Sequence, residues 1–558
     1  MVIANENEFV FLPLGGVGEI GMNLAAYGFG PKNLREWLLV DMGVSFAGPE
    51  LPGADLILPD IRFLESEKHN ISGLVLTHAH EDHYGAVLDL LPKLKVPLYC
   101  TSFTAGLLES KRQSDFQSHK ISLNIFQVGD CFQVGSFSIE AIAVNHSIPE
   151  SVSLALTTSL GTVIHTGDWK IDHTPSLGPV TDEKRFRALG NQGVLALLCD
   201  STNACRDGIS PSEQQVQRSL SEIISKAEGR VALATFASNI GRIRSIALAA
   251  ESVGRQVLVI GRSLKRSIMV AEELGYMKGL APFITEDDYV HIPRKNIVLV
   301  VTGSQGEPCA ALAKLSRNEM GKIMLSAGDT VIYSSRSIPG NEKAILEIQN
   351  RFIDLGIKTI TNEDTLVHVS GHPRRSELLQ MYDWIKPKIL VPVHGEAMHL
   401  TAHAALARQA GIKIVRDIRN GSILRLAPEP VEVIDQVPVG RIYKDGCLIG
   451  NEDELGIRER RKLSYAGYVA VSLHMNSKDE LLDDIGLITF GLPEKNGKEK
   501  SLRDILLDIV ENTLYNIPRS KRKNNELIRE ATRRAVRAAV NEIWRKKPIC
   551  TVFLHRSK

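Results

Sequence analysis

Over roughly the first 210 positions short apolar runs alternate with turn residues, the texture of strands joined by tight connections. Residues 9–14, 23–27 and 37–41 read as the opening strands, with 71–76, 139–145 and 161–167 as later ones. The segment 16–21 has GxGxxG spacing, but another strand pattern follows it instead of a helix. It therefore reads as a Gly-rich hairpin and not as a dinucleotide fingerprint. From about 211 the chain turns to strand-then-helix units: 230–236 before 240–252, 256–260 before 263–274, then a buried-type strand at 295–301. That alternation predicts a parallel sheet with crossover helices. Residues 364–369 read as a strand, 374–385 as a helix with Pro373 at its first position, and 388–393 as a strand. A charged stretch at 451–464 reads as a linker. The tail from 465 to 558 reads as two strands (465–475 and 486–492), two helices and a last strand (549–555), a small α+β domain.

Composition narrows the picture without deciding it. The 43% hydrophobic content allows ordinary cores, and a net charge of +1 leaves no global basic field for nucleic acid. Any attraction to nucleic acid would have to be local. One local excess exists: residues 519–547 hold eleven Lys/Arg against three Glu. Such a run is by default a solvated helix face, and otherwise a nucleic-acid contact or a subunit interface. Seven scattered cysteines with no CxxC pair fit a reducing compartment better than a disulfide framework. No basic, apolar leader opens the chain and no apolar run approaches ~20 residues, so the expectation is a cytoplasmic protein without a membrane span.

Chemistry concentrates in His78-Ala79-His80-Glu81-Asp82-His83, directly after the apolar run 71–76. A His-rich surface loop can bind nothing, but four donors at a strand end are where sites gather. Imidazole suits Zn, and carboxylate suits Mn or Mg. Single donors also end later apolar runs: His146 after 139–145, Asp168 after 161–167, and His394 after 388–393.

The His-x-His-x-Asp-His motif resembles the signature of the metallo-β-lactamase superfamily. An α/β insert of about 150 residues, with Asp200, His368-Val369-Ser370-Gly371-His372 and His394 in order, resembles the β-CASP group of nucleases within it. Three segments, PLGGVGEIGMN, HVSGH and HGEAMHL, most closely resemble the bacterial ribonuclease J family. The resemblance implies an αββα metallo-β-lactamase sandwich over 1–210 and 366–450. A β-CASP α/β domain is inserted at 211–365, and a small α+β domain follows the linker. It further implies that His78, His80 and His146 hold one divalent metal, that Asp82, His83 and His394 hold a second, and that Asp168 bridges them. Zn is the first expectation and Mn or Mg the alternatives. The implied activity is a dimetal ribonuclease acting on single-stranded RNA: a 5′-to-3′ exonuclease preferring 5′-monophosphate ends, with some endonuclease activity. Maturation of RNA, ribosomal RNA included, and its decay are the implied roles, in a homo-oligomer (dimer or tetramer).

Other residues carry expectations of their own. Asp82 could orient the nucleophile or take its proton. Asp200 reads as orienting a ligand His through its second ring nitrogen, or else as a cap ahead of Thr202. The turn at Ser370-Gly371-His372, ahead of a helix, could offer N–H groups to phosphate, with Gly371 allowing close approach. Val369 belongs to the same loop. His372 or His368 could protonate the leaving oxygen, and the sequence does not rank them. Ser238 and Asn239, before the helix that carries Arg242, form a second candidate phosphate loop, or a simple helix cap.

Three rival readings fit less well. A small-molecule hydrolase would not need the insert, a non-catalytic RNA-binding subunit would have lost donors, and His394 disfavours a DNA nuclease.

Overall fold

The computed structural model describes residues 6–113, 121–338, 340–494 and 500–557. Residues 1–5, on which the expectation of no leader partly rests, lie outside them. The chain divides into two compact units, Met1–Ser45 with Leu58–Arg441, and Phe46–Ile57 with Ile442–Lys558.

In the first unit two mixed sheets face each other. The eight-stranded sheet runs in the order Glu432–Gln436, Ser422–Ala427, Glu8–Gly15, Leu24–Gly30, Glu36–Val40, Ile71–Val75, Leu98–Cys100, Leu123–Ile125. The seven-stranded sheet runs Cys131–Val134, Phe137–Ala143, Val152–Thr158, Gly161–His165, Ala196–Asp200, Ile389–Val393, Ile414–Val415. Phe9, Tyr27, Leu38 and Val40 of the first sheet pack with Phe137, Leu154, Val163 and Leu198 of the second in one buried core. Helices Glu183–Gln192, Arg375–Ile385 and Ala397–Gln409 cover the other face of the seven-stranded sheet through Phe186, Leu378 and Leu406. Burial on both faces explains why strand Glu8–Gly15 is almost unbroken in apolar character instead of alternating. This is the αββα sandwich that the resemblance implies, and a separate α/β domain is inserted in it.

The insert is a five-stranded parallel sheet, ordered Gln256–Ile260, Ile297–Val301, Val231–Ala234, Thr330–Tyr333, Lys358–Ile360, with its own core. Helices Ile240–Glu251 and Arg262–Glu273 are the crossovers that the alternating pattern predicts. Two local expectations fail. Residues 364–369 form no strand; the short strand before them is Lys358–Ile360, and Asn362 Oδ1 instead accepts from the N–H groups of Val367 and His368. Helix Arg375–Ile385 is capped at Arg374, so Pro373 lies before the helix and not in its first turn.

In the second unit the three-stranded sheet Gly486–Phe490, Tyr468–Met475, Ile549–Arg556 packs against helices Leu502–Asn516 and Asn525–Trp544. Residues 451–464, expected as a linker, contain most of helix Ile457–Ala466. Among the described residues no helix is long and apolar enough to cross a membrane.

Candidate metal centre

Strand Ile71–Val75 ends at a buried loop, and one helical turn, Glu81–Tyr84, follows with His80 as its cap. This short element sends His78, His80, Asp82 and His83 to one place. Gly43 lies against it so closely that a Cβ there would sit 1.7 Å from the Asp82 carbonyl oxygen. His146, Asp168 and His394 arrive from loops after strands of the facing sheet, as the apolar runs predict.

The structure brings these donors together in three overlapping sets. One is His78, His80, His146 and Asp168; another is Asp82, His83, Asp168 and His394; the third is Asp168, Asp200, His372 and His394. Within each set the donor atoms lie within 4.8 Å of one another, and Asp168 belongs to all three.

Each of the five clustered rings outside His372 has its outward nitrogen held. Thr77 Oγ1 lies 3.0 Å from His78 Nδ1, and Ser238 Oγ lies 3.0 Å from His80 Nε2. The Gly371 carbonyl is 2.7 Å from His146 Nδ1, Asp41 Oδ2 is 2.7 Å from His83 Nδ1, and Asn23 Oδ1 is 2.9 Å from His394 Nδ1. A carbonyl and a carboxylate only accept, so His146 and His83 donate from Nδ1 and turn Nε2 inward. The inward nitrogens converge: His80 Nδ1 is 3.1 Å from His78 Nε2 and 3.0 Å from His146 Nε2, and His83 Nε2 is 3.3 Å from Asp168 Oδ2. With His80 donating outward to Ser238, the three lone pairs meet with no proton between them, an arrangement that a cation satisfies. Asp168 adds a buried Oδ1 with no hydrogen-bond partner, an orphan acceptor of the kind that an ion explains. The donor set therefore fits divalent metal, with imidazoles toward Zn and carboxylates tolerating Mn.

Electrostatics support this. Burial holds His78 and His146 well below the usual histidine range and His80 at about 4, which favours the neutral, ligating form. For His83 burial also acts downward, but Asp168, Asp82 and Asp41 outweigh it and raise the group. A dication among those carboxylates answers the same negative charge that would otherwise keep this proton. Asp168 is held well below the carboxylate range despite its burial, chiefly by His394 and His83.

At the rim, His372 Nδ1 lies 2.8 Å from Asp200 Oδ2 and 3.8 Å from Asp168 Oδ2. Burial lowers His372, but Asp200 and Asp168 carry it up to about 9. Asp200 thus orients His372 and none of the seven expected ligands; its Oδ1 also accepts from Thr202 N–H and Oγ1, so the capping role coexists. His372 and Asp82 are the open members, with side chains 19% and 29% exposed, so the site is approached past them. His368 lies elsewhere. Burial takes it down to about 3, with Arg242 and Lys170 pressing the same way against Glu213, and its Nδ1 has no partner.

The phosphate loops differ from expectation. The first N–H groups of helix Arg375–Ile385 are already used: Arg375 donates to the Arg206 carbonyl, Ser376 to that of Gly208, and Arg374 to Glu377 Oε2. Gly371 is needed for His146, because a Cβ there would lie 2.5 Å from that ring. Val369 is buried. Asn239 caps its helix by accepting from Arg242 N–H, whereas Ser238 reaches His80. Ser370 is held by Asn203, whose Nδ2 donates to Ser370 Oγ at 2.9 Å and to the His372 carbonyl at 3.1 Å.

Sequence reasoning missed Asn23, Asp41 and Asn203. Asp41 carried a usable signal, an acid ending an apolar run just as Asp200 does. Nothing in the sequence marked Asn23, which joins His394 to the Asp82–His83 turn by donating to the Asp82 carbonyl at 3.0 Å.

Comparisons with known proteins agree across the chain. Residues 36–210 match the family model "Beta-lactamase superfamily domain" and 228–352 match "Ribonuclease J, beta-CASP domain". Residues 363–416 match "Zn-dependent metallo-hydrolase RNA specificity domain" and 455–557 match "Ribonuclease J C-terminal domain". A ribonuclease J of Sinorhizobium meliloti is 58% identical over 99% of this chain and 98% of its own length. One from Mycolicibacterium smegmatis is 38% identical over 96% and 95%, and one from Thermus thermophilus 36% over 84% and 82%. A crystal structure of a protein of unknown function from Enterococcus faecalis V583 covers 75% of this chain and 100% of its own, with a TM-score of 0.53 at 16% identity, which speaks to fold alone.

Proposed function

Because this chain belongs to the ribonuclease J family and is a metal-dependent ribonuclease, we propose that it degrades single-stranded RNA from 5′-monophosphate ends in the 5′-to-3′ direction, with some endonuclease activity. Maturation of RNA, ribosomal RNA included, and its decay in the cytoplasm are the roles this reading gives it. The observation that carries it is the convergence of His78, His80, His146, Asp82, His83, Asp168 and His394 beside the Asp200–His372 pair.

On this reading His78, His80 and His146 hold one ion, Asp82, His83 and His394 the other, and Asp168 both, with Zn as the first candidate. Two bound divalent ions would supply an activated water and neutralise charge on the phosphoryl oxygens. The protein does the rest. Thr77, Ser238, the Gly371 carbonyl, Asp41 and Asn23 fix ring orientation, a role typically worth about 10- to 100-fold in metal affinity or activity. Asp200 holds His372 through Nδ1, which leaves Nε2 to protonate the leaving oxygen. His368 is the poorer acid candidate, because it faces the buried charges instead of the cluster. Ser370 and Ser238 remain the side chains suited to a 5′-phosphate.

One RNA bearing a 5′-monophosphate, 5′-triphosphate or 5′-hydroxyl tests this. The monophosphate end should turn over roughly ten- to a hundredfold faster than the hydroxyl end, because the latter leaves phosphate donors unpaired. Ser370→Ala should reduce that end-dependent turnover more than internal cleavage. Equal rates on all ends, with products leaving from the 3′ side, would sink the assignment.

The C-terminal unit is proposed to support self-association. On its sheet Ile488, Phe490 and Phe553 are 56%, 64% and 49% exposed, more apolar surface than a solvated face usually keeps. Deleting 460–558 should shift the sedimentation profile toward smaller species while the metal stays bound. An unchanged profile together with unchanged RNA turnover counts against this.

A further inference from the structure

The chain holds 66 Lys+Arg against 65 Asp+Glu, enough acid to pair with nearly every base. Three guanidiniums near the His372 turn have no carboxylate partner among the described residues. Arg336 donates through Nη1 to Asn203 Oδ1 at 3.0 Å, and the same Asn203 holds Ser370 and the His372 carbonyl. Arg206 follows three residues later, its N–H donating to the Asn203 carbonyl at 2.8 Å and its carbonyl accepting from Arg375. Arg374 lies beside that contact with a buried Nε that has no hydrogen-bond partner. Their neighbour Arg375 does find an acid, Asp207, at 3.1 Å. Partial burial, and then Arg206 and Arg374, hold Arg336 below the usual arginine range, although Arg336 and Arg206 stay open to solvent and so to a ligand. Like charges gathered without a counter-charge are unfavourable unless an anion joins them.

We propose that Arg206, Arg336 and Arg374 form a phosphate-binding site for the RNA strand, one residue, Asn203, removed from the Ser370–His372 turn. The proposal rests on the reading of this chain as an RNA phosphodiesterase, and it adds binding residues beyond those of the sequence motifs. Guanidinium suits the task because its N–H fork matches two phosphate oxygens at once. The phosphate is either the 5′-terminal group or an internal one of the same strand, and the assay separates the two.

The experiment is steady-state turnover of 3′-labelled single-stranded RNA with a 5′-monophosphate or 5′-hydroxyl, at several salt concentrations, by the full-length metal-loaded protein. Arg336→Ala should raise KM about tenfold, the scale of losing one charge-assisted hydrogen bond. The dependence of log KM on log salt should flatten by roughly 0.7 per arginine removed, as for a lost phosphate contact on a single strand. Arg336→Lys should keep most of the salt slope, because it keeps the charge. A KM effect confined to monophosphate RNA assigns the terminal phosphate, and an equal effect on both ends assigns an internal one; either supports the site. The triple alanine variant with a native melting temperature, full metal content, and unchanged KM and salt slope would overturn it. Failure of the 5′-end reading shows separately, as a wild-type protein indifferent to its RNA ends.

Discussion

Asp168→Ala should abolish RNA hydrolysis and strip bound metal, with the fold retained. Its carboxylate is the one group common to all three donor sets, and its buried Oδ1 has no protein partner. Removing it takes a negative charge from the middle of converging imidazoles: His83 Nε2 is 3.3 Å away, His394 Nε2 3.5 Å and His146 Nε2 3.7 Å. We expect kcat to fall on the order of a thousandfold or more, the scale seen when a preorganised charge-stabilising group is lost from a water-poor site. Metal content, measured by mass spectrometry on the dialysed protein, should fall with it. Circular dichroism should not change, because the strand before it, Gly161–His165, is held by its neighbours on both sides. Full metal content with residual activity near wild type would mean that Asp168 is not the shared ligand.

The second large effect is on stability. Glu213 accepts from Arg242 Nε and Nη2 at 3.1 and 2.8 Å, and Lys170 Nζ stands 3.6 Å from its other oxygen. All three side chains are buried. Glu213→Gln breaks the pair and leaves Arg242 without a carboxylate, whereas Lys170 keeps Asp172 at 3.2 Å; the uncompensated guanidinium should cost about 3–5 kcal/mol. The acid limb gives a sharper reading. Burial acts to raise Glu213, but Arg242 and Lys170 bring it down to about 2 from the model-compound 4.5. A depressed carboxylate contributes stability that is present above its unfolded value and is lost as pH falls through the folded one. Roughly 3 kcal/mol should thus disappear from the wild type between about pH 4.5 and 2. The Gln variant should lack that component. Superimposable acid limbs in the two proteins would rule out the pairing. Activity should suffer as well, because Arg242 Nη1 donates to the Val367 carbonyl at 3.1 Å, directly ahead of the 368–372 loop.

How much was legible beforehand varies with the range of the interaction. Strands that are buried on both faces, such as Gln256–Ile260 and Ile389–Val393, show as continuous apolar runs. The segment 364–369 is equally apolar in part, yet Asn362 takes its N–H groups and no neighbouring strand pairs with it. Strand formation needs a partner, and an apolar run does not report whether one is there. The helix after Pro373 was also foreseen, but its N-terminus was read as free for phosphate. It is closed by carbonyls of residues 206 and 208, more than 160 positions away in sequence.

The seven candidate donors can be read along the chain itself. Within the His78–His83 run the donors share one loop and turn, and the other three each follow an apolar run that predicts a strand end. Spacing along one chain therefore limited where they could go. What holds those donors and what surrounds them emerges only when the sheets close. That Asn23 would orient His394, Asp41 would hold His83, and Asp200 would serve His372 follows from pairings across 371, 42 and 172 positions. The same holds for the three arginines around Asn203 that have no carboxylate partner among the described residues. A hydrogen bond depends on angstrom-scale distance and direction, and these are set when separate sheets close on one another; local sequence carries no record of that closure.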